Sequence, residues 1–139
     1  MRRTLPLAVL AALLLLAAPA AAVTKNGITP VTPKAGGAIP SGGPFVFKLN
    51  VKGKSAGTFV HVCASKRKDA DGVICSTASI GRAKHKQGAR YEYKAKFFDF
   101  PDFWLNSPGT YYWQAYRTAC GTDLSDCKAE GPIVKFKVR

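Results

Sequence analysis

Two short runs of the chain concentrate positive charge: Lys66-Arg67-Lys68, and Arg82, Lys84 and Lys86 around His85, with Arg90 just beyond. Cations carried on loops hold a polyanion through many modest ionic contacts, and such binding weakens steeply as salt rises. Lys94, Lys96, Lys135 and Lys137, read as outward-facing strand positions, extend the same field. The plainer reading is that Lys and Arg solubilise a surface and blunt strand edges. Against it stands the charge balance, 21 Lys and Arg to 8 Asp and Glu, a net charge of +13. A second candidate is the alternating set Tyr112, Gln114 and Tyr116, expected to project together from one strand. Exposed rings of this kind stack sugars or peptide groups with large contact area at low entropic cost. The competing reading is an ordinary or loop-covered strand surface.

Catalytic chemistry finds few residues to work with. The two histidines are His61, placed on a strand, and His85, which lies between two lysines with no carboxylate close in sequence to orient it as a base. His-Glu-x-x-His and phosphate-loop patterns are missing. Asp69-Ala70-Asp71-Gly72 puts two carboxylates at i and i+2, but the oxygen donors that continue a calcium loop do not follow, and Lys66, Arg67 and Lys68 oppose a divalent ion. The expectation is a protein that is not an enzyme, with no catalytic residue, metal or cofactor.

The N-terminus sets the compartment. Met1-Arg2-Arg3 precedes an apolar stretch from Leu5 to Ala18 and then Pro19-Ala20-Ala21-Ala22. A cationic start, an apolar centre and small residues in Ala-x-Ala spacing describe a secretory signal peptide, cut between Ala22 and Val23. An uncleaved membrane anchor is the alternative, because the apolar run approaches the lower length for a span. Cleavage removes Arg2 and Arg3, so the mature chain stays strongly basic, and it leaves no membrane span. An oxidising, secreted or cell-surface location favours disulfides among Cys63, Cys75, Cys120 and Cys127. Three pairings are possible, and the spacings favour Cys63–Cys75 and Cys120–Cys127. A zinc site is disfavoured, since no Cys-x-x-Cys pair occurs.

The elements that must position these residues are strands. Residues 24–44 hold Pro30, Pro33, Pro40 and Pro44 among five glycines, which predicts a linker with at most a broken edge strand near Ile28–Pro33. From Phe45 the apolar residues recur with period two: Phe45, Phe47, Leu49 and Val51, then Tyr91, Tyr93, Ala95 and Phe97, then Val134, Phe136 and Val138. Thr58–Ser65 reads as a strand, and Asp71-Gly72 reverses the chain so that Val73-Ile74-Cys75 returns against it. Arg82–Arg90 reads as a polar loop. The run from Phe97 to Leu105 is rich in rings whose faces stay unassigned, and Thr110–Thr118 is aromatic and strand-like. No mature segment of ten or more residues has helical periodicity. Residues 45–139 therefore form one all-β domain of six or seven short strands, an antiparallel sandwich.

Leu105-Asn106-Ser107-Pro108-Gly109-Thr110-Tyr111-Tyr112-Trp113-Gln114-Ala115-Tyr116 resembles the penultimate-strand signature of fibronectin type III and related immunoglobulin-like domains, especially the Pro-Gly-Thr-Tyr-Tyr-Trp form of exported bacterial proteins. The likeness covers most of residues 28–139, with Pro108–Trp113 its specific part. It implies an inward Tyr111 whose hydroxyl bonds back to the backbone, Trp113 and Ala115 on the same inward face, and an interaction module. The two cysteine loops depart from the family's usual pattern. The expected function is non-catalytic binding outside the cell, to an anionic polysaccharide or cell-wall polymer or to a protein partner, with nucleic acid held only non-specifically. The alternative is a structural accessory subunit of a larger surface assembly.

Overall fold

The computed structural model describes residues 21–42, 45–53, 59–75, 80–95, 107–118 and 128–139, and in them the chain is all-β. Among the described residues ten strands follow one another: β1 (Ile28–Thr32), β2 (Ala38–Ile39), β3 (Phe45–Val51), β4 (Phe59–Ser65), β5 (Ile80–Arg82), β6 (Lys84–His85), β7 (Arg90–Ala95), β8 (Gly109–Thr118), β9 (Lys128–Glu130) and β10 (Val134–Val138). They make two sheets. One has the order β1-β3-β7-β6; the other runs β2-β10-β8-β4-β5, with β9 also paired to β8. Every pairing is antiparallel except β2 with β10, which is parallel. Among the described residues no helix is long and apolar enough to cross a membrane. Residues 1–20 of the expected signal peptide 1–22, the aromatic run through Leu105 and the expected Cys120–Cys127 pair lie outside the described residues.

Alternation decides which face each strand buries. Along β3, Phe45, Phe47, Leu49 and Val51 are buried, while Lys48 is exposed and Val46 and Asn50 are half-buried. Along β10, Val134, Phe136 and Val138 are buried between exposed Lys135 and Lys137, as their spacing predicts. The two inner faces share one core. At its centre the Phe47 ring lies 5.4 Å from Trp113 and 6.2 Å from Phe136, linking the sheets. Rings of this size bury about 150–250 Å² each, which at ~25 cal/mol per Å² is roughly 4–6 kcal/mol of hydrophobic driving force apiece. Trp113 also satisfies its indole, donating from Nε1 to the Pro33 carbonyl at 3.0 Å.

Tyr111 is buried, and its hydroxyl donates to the Ser107 carbonyl at 3.0 Å, the inward corner geometry expected of it. Two expectations need correcting. The N-terminal Pro/Gly stretch contributes two strands rather than one, because β2 finds a parallel partner in β10. Residues 82–90 are not simply a loop. Gly81 and Arg82 pair with Val62 and His61, the Ala83 amide donates to the Val60 carbonyl at 2.8 Å, and Lys84 and His85 then pair with Glu92 and Tyr91. The chain thus passes from one sheet to the other at buried Ala83. Its polar composition hid this, since both β6 side chains are exposed and leave no apolar alternation to read.

Candidate functional site

Strand pairing turns scattered polar residues into a lattice on the outer face of the four-stranded sheet. Cα partners point to the same face, so the register assigns them directly. One row crosses the strands as Thr32, Lys48, Glu92 and Lys84. The next row is Thr29, Asn50 and Arg90, extended by Lys86, whose amide donates to the Arg90 carbonyl at 2.9 Å. Lys94, paired with Val46, adds a third. Five cations, Lys48, Lys84, Lys86, Arg90 and Lys94, are therefore set out on one face, and all five are exposed. A shallow groove of about 400 Å³ runs across this face between Val31 and Lys86, with Lys48, Asn50, Arg90 and Glu92 along it.

Of the loop cations singled out in the sequence, Lys84, Lys86 and Arg90 belong to this lattice. Arg82 does not. It belongs to β5 in the other sheet, where its guanidinium stacks over the Phe59 ring at 4.0 Å. Lys66, Arg67 and Lys68 are exposed but sit at the opposite end of β4 from the residues beside Arg82. Arg82 pairs with His61, four residues or about 13 Å from Ser65, and Lys84, Lys86 and Arg90 lie with the other sheet, so the two basic runs do not make one patch. Lys66 is also occupied locally, donating from Nζ to Ser107 Oγ at 2.7 Å, and Lys68 Nζ lies 5.6 Å from the Tyr112 ring centre. Lys48, Asn50 and Glu92 are the members of the face that sequence reasoning passed over. Lys48 was legible as an outward residue of β3, but its neighbours come only with the β3–β7–β6 pairing.

The expected exposed row Tyr112, Gln114 and Tyr116 is overturned. Gln114 is 1% exposed and Tyr116 6%, and Tyr112 is half-buried. They do project to the outer side of their sheet, but the hairpin after β4 folds back over them. Cys63, Val73 and Tyr116 form a second small core there, with Cys75 and Tyr112 against it. The hairpin is shaped by Asp69, whose Oδ1 accepts from the amides of Asp71 and Gly72, both at 2.9 Å. The Cys63–Cys75 disulfide ties its return arm to β4 across a Cα separation of 6.1 Å. Gln114 closes the arrangement. Its Oε1 accepts from the Val73 amide at 3.1 Å and the Tyr116 hydroxyl at 3.0 Å, and its Nε2 donates to the Gly131 carbonyl at 2.8 Å. A Cβ at Gly72 would stand 2.7 Å from Gln114 Oε1, so glycine is what lets the hairpin come this close.

No protein-family model matches the chain, and no curated protein matches it either.

Burial, with the charges of Glu130 and Asp69 nearby, pushes the Tyr116 hydroxyl up from 10.0 to about 12. Folding thus favours the neutral phenol. Its contribution to stability is complete below pH 10.0 and is lost as pH rises through about 12. Tyr116→Phe is expected to flatten that alkaline loss while lowering stability at neutral pH by about 1 kcal/mol for the missing hydrogen bonds. Thermal midpoints of both forms across the alkaline range check this. His61 moves the other way: burial first, then Arg82, lowers its pKa from 6.5. Its Nδ1 is buried with no hydrogen-bond partner among the described residues. The imidazole is held neutral, and its contribution is present above pH 6.5 and lost on acidification.

Proposed function

We propose that the protein is an exported, non-catalytic binding module that holds an anionic polymer on the outer face of its four-stranded sheet. The observation that carries the reading is the lattice of Lys48, Lys84, Lys86, Arg90 and Lys94 on one exposed face. Hydrogen bonding between strands fixes the spacing of these side chains, so the face is organised rather than merely charged. The secretory-type N-terminus supports this reading, since an exported protein meets wall polymers and acidic glycans.

An immunoglobulin-like sandwich is part of this reading. Its support is the strand order, β1-β3-β7-β6 against β10-β8-β4, which parallels A-B-E-D against G-F-C of that architecture. The tyrosine at the start of β8, bonded back to Ser107, sits where a tyrosine corner belongs. The Cys63–Cys75 clasp is a departure, since it joins a strand to the hairpin beside it rather than one sheet to the other. Folds of this kind host many functions, and the binding face rather than the fold argues the role.

The test is retention of the mature, oxidised protein on polyanion resins as salt increases. The variant Lys48→Ala/Lys84→Ala/Lys86→Ala/Arg90→Ala is expected to elute at much lower salt, its salt slope reduced by about 0.7–0.9 per cation removed. The control Lys66→Ala/Arg67→Ala/Lys68→Ala, altered at the other end, is expected to elute close to the wild type. Equal losses in the two variants would mean that net charge alone sets retention, and would remove the face from the proposal.

A further inference from the structure

Glu92 is the one carboxylate in the lattice among the described residues, and it stands at the middle. Across the strands it lies in register between Lys48 and Lys84; along β7 it lies between Arg90 and Lys94. Its side chain is 17% exposed, and Oε1 is 3.6 Å from Lys94 Nζ. Building on the polyanion reading above, we infer that Glu92 selects the class of polymer: an acidic polysaccharide, whose carboxylates are separated by hydroxyl-bearing rings, over nucleic acid or polyphosphate.

The argument is one of spacing. Lys48 and Lys84 are two inter-strand steps apart, about 10 Å, and Arg90 and Lys94 are four residues apart, about 13 Å. A nucleic-acid strand carries a charge roughly every 3.4 Å of helix axis. A strand that meets cations at both ends of either line must therefore also put phosphate over Glu92, and the like charges repel. Polyphosphate, whose charges follow one another about as closely, meets the same repulsion. An acidic glycan offers something different to the same three points. Its carboxylates reach the outer cations while ring hydroxyls lie over Glu92 and donate to it, and hydrogen bonds to an ionised acceptor are about twice as strong as neutral ones. Asn50, Thr29 and Thr32 share this face and supply neutral donors and acceptors of the sort sugar hydroxyls use.

The experiment measures binding of the mature, oxidised protein to polygalacturonate, polyphosphate and double-stranded DNA at matched ionic strength, for wild type and Glu92→Gln. The wild type is expected to hold polygalacturonate most tightly. Glu92→Gln, which keeps the shape and removes the charge, is expected to gain about three- to fivefold for polyphosphate and DNA and nothing for polygalacturonate. Equal gains for all three polymers in Glu92→Gln overturn the selectivity, as does a wild type that holds DNA or polyphosphate as tightly as polygalacturonate. Those results leave the basic face standing. A wild type retained by none of the three at low salt overturns the polyanion reading and this inference with it.

Discussion

Gln114→Leu is expected to lower the free energy of unfolding by about 3 kcal/mol, a large share of the 5–15 kcal/mol typical of a single domain. Leucine has a similar volume, so the loss does not come from a cavity. It comes from the Val73 amide and the Gly131 carbonyl, which lose this partner, and from the Tyr116 hydroxyl, which loses its 3.0 Å bond and keeps the Val73 carbonyl at 3.4 Å. Each orphaned buried group costs roughly 1–3 kcal/mol, offset in part because leucine has no amide of its own to desolvate. The measurement is a denaturant titration read at constant slope, so that a shifted midpoint reports stability rather than a changed unfolded state. A loss under about 1 kcal/mol would show that the amide does not bridge these elements in solution.

Cys63→Ala/Cys75→Ala is expected to cost about 3 kcal/mol, the chain-entropy value for closing a loop over a separation of 12 residues. Both changes act on one element. The disulfide holds the hairpin's return arm at Cys75, and Gln114 holds it two residues earlier at Val73. Their effects are therefore coupled: in the disulfide-free background Gln114→Leu is expected to cost at least 1 kcal/mol less than in the native one, since a hairpin already loosened has less to lose. A double-mutant cycle by equilibrium unfolding measures this. Strict additivity would mean that the two clasps hold independent parts of the surface.

How much of this could be read from residue order depends on whether a feature is local. Phe45 to Val51 and Val134 to Val138 declare their faces by alternation, and the structure buries them accordingly. Tyr111 is inward as the resemblance implies, and Trp113, two residues on, shares its face. The hairpin from Cys63 to Cys75 was legible from its turn residues and its cysteine spacing, although Asp69 shapes the turn as much as the Asp71-Gly72 pair does. Alternation also put Tyr112, Gln114 and Tyr116 on the outer side, correctly as to side and wrongly as to exposure. Period two says which way a side chain points and nothing about what later folds over it. The basic face failed for a similar reason. Lys48, Lys84, Glu92 and Arg90 are scattered along the chain, and only the register of three strands makes them neighbours. One readable signal was passed over: Asn26-Gly27, with φ of 51° and 73°, turns the chain tightly between Lys25 and Ile28. Asn-Gly is the residue pair that such a turn favours.

The passage of the chain between sheets at Ala83 has a consequence for how copies of this protein behave beside one another. It makes β5 and β6, the edges on one side of the molecule, parts of one continuous run of chain, so that each edge is only two or three residues long before it changes sheet. The other side offers β1 and β2, and both come from the Pro/Gly-rich stretch. β1 carries Pro30, which has no amide to donate, and a register irregularity between Pro30 and Thr32; β2 is two residues long. On the same side Asn26 Nδ2 donates to the Glu130 carbonyl of β9 at 2.9 Å. A neighbouring copy that approaches this flank meets short, interrupted or already occupied backbone instead of a straight row of free amides. Proline, bulge and brevity are the features that blunt an edge against strand addition, and here they come from the region that reads as a mere linker.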